Sequence, residues 1–151
     1  MNQLIVILSR KTKAQLVLTT AFCFILLSAT QTFAKDFVVV ANTSLGVSEV
    51  STMDIEQMLL GKKSTWSSGE RVSFCLYEDS ETEAAFLKEF VNKTPIQFKS
   101  YWKRLVFTGK GRMPKYFKTK EDVTAFVNAH PGAFSFLPAP GDNSVKTLTI
   151  K

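Results

Sequence analysis

The residues of this chain that are best suited to chemistry are cations placed around two glycines. From Lys99 to Lys120 the sequence holds eight basic residues and no acidic one. Glycines permit backbone N–H groups to turn toward a bound anion, and Lys110 and Arg112 would supply positive charge. The alternative interpretation is a tight helix-to-strand connector with solvated lysines, because a lone Gly-x-Gly is weak evidence. The candidate ligand residues of this loop are Thr108, Gly109, Lys110, Gly111 and Arg112.

Groups for catalysis or metal binding are scarce. The single histidine, His130, precedes Pro131 and Gly132 and is expected to mark a helix end. A zinc site has too few ligands, and neither a Gly-x-Ser-x-Gly nucleophile motif nor a Walker loop occurs. The sequence therefore predicts no catalytic residue, no metal site and no cofactor.

The first residues have the pattern of a secretion signal. Arg10, Lys11 and Lys13 precede a nearly apolar stretch from 15 to 29, and Ala34 ends a small-residue cleavage pattern. We expect a signal peptide over 1–34 and a periplasmic or secreted protein after cleavage near Ala34. The alternative is an uncleaved anchor, but the apolar core is short of the about 20 residues that a spanning helix needs. No stable membrane insertion is expected after cleavage.

Residues 35–151 then form a single domain of ordinary size. The signal contains three of the 19 basic residues, which leaves 16 against 13 acidic ones and a net charge of +3. This modest charge, together with export, argues against nucleic acid as a partner. Cys75 would be the remaining cysteine, and in an oxidising compartment a buried, inert thiol is the favoured interpretation.

Alternating helices and strands predict an α/β fold. The sequence predicts strands over 36–41, 71–77, 133–137 and 145–150, and helices that begin near Ser51, Ser80, Pro95 and Thr119. Ser80 is expected to cap its helix, with Glu83 completing a capping box. The order β-α-β-α-α-α-β-β indicates a three-layer sandwich in which helices flank a mostly parallel sheet.

Several ordered motifs carry a family resemblance. They are Val38 to Asn42, Ile55 to Lys63 with Trp66, Ser80 to Phe86, Tyr101-Trp102 with Phe107 to Gly111, and Pro131 to Phe136. Together they resemble the phosphate-transporter substrate-binding proteins, a branch of the type II periplasmic binding protein superfamily, and more closely their small single-lobe relatives. The resemblance covers nearly all of 36–150 and implies one lobe of that fold.

The resemblance also implies a position for an anion. Full-length members hold an oxyanion between two lobes, with a Ser-Gly-Thr at a helix N-terminus and an arginine shortly before it. Ser80 and Thr82 match the serine and the threonine, but Glu81 replaces the glycine and no arginine precedes it. The acidic residues around Ser80 would repel a phosphate.

Two functions follow as expectations. The first is an exported single-lobe binding module that holds phosphate or a related small oxyanion and assists a transporter or sensor. The alternative is an accessory interaction protein of the cell envelope that has lost its ligand site. In that case the acidic segment 78–83 and an opposed basic face over 99–120 would serve docking to a partner or to a second copy of the chain.

Overall fold

The computed structural model describes residues 36–151, so the expected signal peptide lies outside the described residues. The strands are β1 (Phe37–Ala41), β2 (Glu49–Val50), β3 (Ser73–Tyr77), β4 (Lys115–Phe117), β5 (Ala133–Pro138) and β6 (Lys146–Ile150). The helices are α1 (Thr52–Leu59), α2 (Ser80–Val91), α3 (Pro95–Phe107) and α4 (Lys120–Ala129).

The strands form one six-stranded sheet in the order β2-β6-β1-β5-β3-β4. β1 runs antiparallel to both of its neighbours, and Val39 lies between Phe136 of β5 and Leu148 of β6. The other three pairings are parallel, so five strands share one direction. The predicted α/β fold with a mostly parallel sheet is confirmed.

Apolar side chains cover both faces of this sheet. The larger cluster contains Phe86 and Phe98 from the helices and Phe136 from the sheet, with the rings of Phe86 and Phe136 stacked at 4.1 Å. The smaller cluster packs Val123 and Val127 of α4 against Cys75 and other sheet residues. Two cores on one sheet confirm the three-layer sandwich.

Cys75 is the buried thiol that the sequence predicts. Burial raises its pKa to about 11, so the reactive thiolate is suppressed at neutral pH. Its backbone carbonyl accepts a hydrogen bond from the Ser135 hydroxyl at 2.8 Å. This cysteine is part of the sheet's packing.

The helix starts follow the predicted capping residues with one exception. Ser51 and Thr119 accept backbone N–H groups of their first helical turns, and Thr94 forms a complete capping box with Gln97. In α2, however, Ser80 is the first helical residue and Asp79 occupies the N-cap position, so the predicted Ser80 cap is wrong. Within residues 36–151, no helix has the length and apolar character needed to cross a membrane.

Candidate anion-binding site

The basic loop begins where α3 ends. Thr108 is the C-cap, and Gly109 has φ +70°, a left-handed conformation that glycine adopts easily. The N–H groups of Gly109 and Lys110 donate to the carbonyls of Val106 and Leu105, at 3.0 and 2.9 Å. This pair of bonds is a Schellman motif. These two N–H groups therefore close the helix end instead of turning toward an anion, which corrects the interpretation given to Gly109.

Position 111 requires glycine because an aromatic ring packs directly against its Cα. A Cβ at Gly111 would lie 2.8 Å from Cζ3 of Trp102, and one at Gly61 would lie 3.1 Å from Cη2 of the same ring. The Trp102 indole N–H donates to the Leu59 carbonyl at 3.1 Å. The indole therefore fixes the basic loop against the C-terminal end of α1. Both glycines of the Gly-Lys-Gly motif thus have structural roles.

A cleft of about 710 Å³ opens beside this junction. Its walls come from the end of α1, the start of β3, the loop after α3 and Phe126 of α4. The lining includes five cations, which are Lys63, Arg71, Lys110, Arg112 and Lys115. In the described part of the chain, no aspartate or glutamate lines the cleft. The fold thus collects positive charge from three separate segments in one concave surface.

The five cations differ in the partners that their side chains already contact. Lys63 lies 2.6 Å from Asp54 and holds the pKa of that carboxyl below its usual range. Lys115 lies over the Phe126 ring, 5.2 Å from its centroid. Among residues 36–151, Arg71, Lys110 and Arg112 form no salt bridge. These three exposed cations are the groups best placed to receive an anion.

The loop residue Thr108 does not join this group. Its hydroxyl donates to the carbonyls of Arg104 and Leu105, both at 3.1 Å, and it does not line the cleft. By contrast, sequence reasoning missed Arg71 and Lys63 as candidates. Arg71 stands just before β3, and it lines the same cleft as Arg112 because β3 pairs in parallel with β4. Sequence spacing alone gives no signal that these two residues share a cleft.

The second predicted site, at Ser80 and Thr82, lies at the other end of β3. The cleft contains Ser73 and Phe74, where β3 begins, whereas α2 follows after Tyr77, where it ends. At about 3.3 Å per residue, the two ends are more than 10 Å apart. The predicted ligand residues therefore do not form one site.

The N-terminus of α2 is neutralised by its own carboxylates. Thr82 is 6% exposed, and its hydroxyl donates to the Asp79 carboxylate at 2.6 Å. Glu83 is equally buried, and this burial raises its pKa to about 7, with Glu78 and Asp79 adding to the rise and Lys99 opposing it. An added anion would meet like charge and a committed hydroxyl here.

The basic segment also reaches this acidic end. The Lys99 ammonium lies 3.6 Å from a Glu78 carboxylate oxygen and 4.5 Å from the centre of the Tyr116 ring. The Tyr116 hydroxyl is buried and has no hydrogen-bond partner within residues 36–151, and its burial raises its pKa. The expected separation of an acidic face from an opposed basic face is therefore wrong at Lys99, which contacts the acidic cluster.

His130 lies outside both regions. Its Nδ1 is 2.8 Å from the Phe126 carbonyl oxygen, one turn back at the end of α4. This contact confirms the expectation that His130 marks a helix end. Among the described residues, no group of three or more histidine, cysteine or acidic side chains could hold a metal ion.

Comparisons with known proteins identify solved structures with a similar fold. No protein-family model and no curated protein matches the chain. Solved structures do match: an ABC-type phosphate transport receptor from Vibrio cholerae superposes with a TM-score of 0.52 at 12% identity. That match covers 76% of this chain and 46% of the receptor. The fold of this chain is therefore similar to part of that receptor.

Two further solved structures have a similar fold. A substrate-binding protein assigned to a phosphate ABC transporter of Clostridium perfringens, solved with bound phosphate, gives a TM-score of 0.57 at 12% identity and covers 76% of this chain and 44% of its own. PstS from Borrelia burgdorferi gives 0.51 at 10%, covering 77% and 47%. The resemblance drawn from the sequence is confirmed at the level of the fold, and this chain spans less than half the length of each neighbour.

Proposed function

We propose that this chain is a binding module, not an enzyme, and that it holds phosphate or a related small oxyanion in the basic cleft. The observation that carries the proposal is the cleft itself, where Arg71, Lys110 and Arg112 converge and where no carboxylate of residues 36–151 contributes to the lining. The neighbours of the same fold are binding proteins rather than enzymes, which supports a binding role.

The cleft is favoured over the N-terminus of α2 by charge and by hydrogen bonding. Glu78, Asp79 and Glu83 surround the helix start, and the Thr82 hydroxyl already has an acceptor. The cleft faces the C-terminal ends of α1 and α3, whose carbonyls carry partial negative charge. Affinity must therefore come from the exposed cationic side chains, so we expect weak binding that salt suppresses strongly.

The test is a calorimetric phosphate titration of the protein at low ionic strength. Replacing Lys110 and Arg112 together by alanine should weaken binding at least about tenfold, because each charged contact contributes roughly 1 kcal/mol or more. Ser80→Ala and Thr82→Val are the matched controls and should leave the affinity unchanged. Loss of binding in the controls, with the double variant unaffected, would move the site to α2. No heat with phosphate, sulfate or arsenate at high protein concentration would refute the proposal.

We also propose export and an envelope partner. A signal peptide over 1–34 would deliver a periplasmic or secreted domain, and the transport neighbours suggest that the domain assists a transporter or sensor. Mass spectrometry of the protein recovered from an envelope fraction should find an N-terminus at Lys35. A protein that keeps its first residues, or one recovered with the cytosol, would contradict export.

A second candidate function, docking without a ligand, is favoured by one side chain. Phe107, at the end of α3, is 92% exposed and stands among Lys103, Arg104 and Lys110. Aromatic side chains and arginine are enriched at protein interfaces, which gives weight to Phe107 and Arg104. Crosslinking in envelope extracts should recover a partner that Phe107→Ser loses. Sedimentation at low and high salt would detect the alternative, a salt-sensitive dimer.

A further inference from the structure

The cleft offers an apolar surface as well as charge. Its volume of about 710 Å³ falls within the range of roughly 300–1,000 Å³ that is typical of pockets for organic ligands. Three aromatic side chains line it, Phe74, Trp102 and Phe126, together with apolar groups of Met58 and Val72. A bare oxyanion would engage the cations and leave the half-buried side chains of Val72, Phe74 and Phe126 in contact with water.

Phe74 is the aromatic side chain best placed to receive a ligand. It is half-buried at the start of β3, and its ring is held in place by Trp102, 5.8 Å away in an edge-to-face arrangement, and by Phe134 at 5.6 Å. Phe126 is also half-buried and lies under the Lys115 ammonium. The cleft therefore combines packed aromatic rings with exposed cations.

We propose that the preferred ligand of the cleft is an organic anion, namely a phosphate or carboxylate attached to a planar apolar group. This inference rests on the proposed function and names its ligand class. The charged group would contact Lys110, Arg112 or Arg71, and the planar group would pack near Phe74 or Phe126, which belong to the clusters on the two faces of the sheet. Removing apolar surface from water then adds to an electrostatic attraction that is weak in the open cleft.

The test compares three probes on the full chain: inorganic phosphate, phenyl phosphate and phenol. Phenyl phosphate should bind about tenfold more tightly than phosphate, which is the gain expected for one favourable aromatic contact. Phenol, which lacks the anionic group, should bind more weakly than either. Phe74→Leu or Phe126→Leu, whichever removes the ring that receives the planar group, should reduce phenyl phosphate affinity several-fold and change phosphate affinity much less. No loss in either variant would overturn the inference.

The outcomes separate this inference from the proposed function. If phosphate binds and phenyl phosphate binds no better, the organic-anion inference is overturned while the oxyanion function stands. If phenyl phosphate binds and phosphate does not, the inference holds and the function is revised to organic anions alone. If neither binds, both are overturned. Because Phe74 also packs in the core, the comparison of the three probes on the unchanged protein decides the matter if Phe74→Leu fails to fold.

Discussion

The two ends of β3 carry opposite charge, and each sign lies where the adjacent helix dipoles favour it. Carboxylates surround the N-terminus of α2, whereas cations surround the C-terminal ends of α1 and α3. Charge alone therefore does not identify a binding site, because helix stability explains part of both clusters. The cleft differs in being concave and in having no carboxylate of residues 36–151 in its lining. The end at which the resemblance implies an oxyanion is the end where Glu78, Asp79 and Glu83 outnumber the single nearby cation, Lys99.

Trp102→Ala should cause the largest loss of stability among the variants considered. The ring is 5% exposed, fills the space between Gly61 and Gly111, and donates its N–H to Leu59. Truncating a buried tryptophan costs about 3–5 kcal/mol of unfolding free energy. Urea denaturation measures the loss, and Phe107→Ala, at an exposed position on the same helix, should change stability by less than about 0.5 kcal/mol. A loss below about 1 kcal/mol for Trp102→Ala would show that the indole does not hold the cleft wall.

Gly111→Ala and Gly109→Ala should separate close packing from backbone strain within the basic loop. At Gly111 the new methyl group meets the Trp102 ring, and overpacking of this kind costs about 1–3 kcal/mol. At Gly109 nothing lies within 4 Å, so the cost is about 1 kcal/mol from the left-handed backbone alone. Adding Trp102→Phe, which removes part of the ring, should relieve the Gly111 defect and leave the Gly109 defect unchanged. Equal relief at both positions would contradict the packing role.

Glu83→Gln tests the charge at the N-terminus of α2 through the pH dependence of stability. The carboxyl has a pKa of about 7 in the folded protein against an ordinary value of 4.5, so the folded state binds the proton more tightly. The stabilisation that the protonated Glu83 carboxyl gives the folded state is therefore fully present below pH 4.5 and is lost as pH rises through about 7. Glutamine cannot ionise, so the variant should be more stable than the wild type at pH 8, by on the order of 2 kcal/mol. Glu81→Gln, at an exposed position, should show no such gain. A wild type whose stability rises between pH 5 and 7 would contradict the raised pKa.

Local patterns predicted most of the fold, because each is written in neighbouring residues. The caps at Ser51, Thr94 and Thr119, the apolar face of α3 and the strands of the central sheet needed only sequence spacing. The short edge strands β2 and β4 were missed, since two or three residues carry no periodic signal and form through pairing alone.

The candidate site was predicted less completely than the fold. The cations of the loop after α3 were predicted, but Arg71 and Lys63 join them only through the sheet and through the Trp102 contact. The prediction placed Ser80 at the helix cap because serine is a common N-cap residue, yet Asp79 satisfies the same preference one position earlier. The carboxylates there were noticed, but the burial of Glu83 depends on packing that neighbouring residues do not specify.

Lys99→Met should give the smallest change in stability and the sharpest test of the acidic end. Its ion pair with Glu78 is partly exposed at 3.6 Å, so its loss should cost less than about 1 kcal/mol. Methionine keeps an apolar stem that can cover the Tyr116 ring but has no charge. Because the Lys99 ammonium lowers the pKa of Glu83, its removal should raise that pKa further. The upper end of the pH range over which stability falls should therefore move to higher pH, whereas Lys103→Met on the exposed side of α3 should leave it in place. An unchanged pH midpoint for the fall in stability would mean that Lys99 does not influence the pKa of Glu83. Burial, together with Glu78 and Asp79, would then set the charge at the N-terminus of α2 without a contribution from the basic segment.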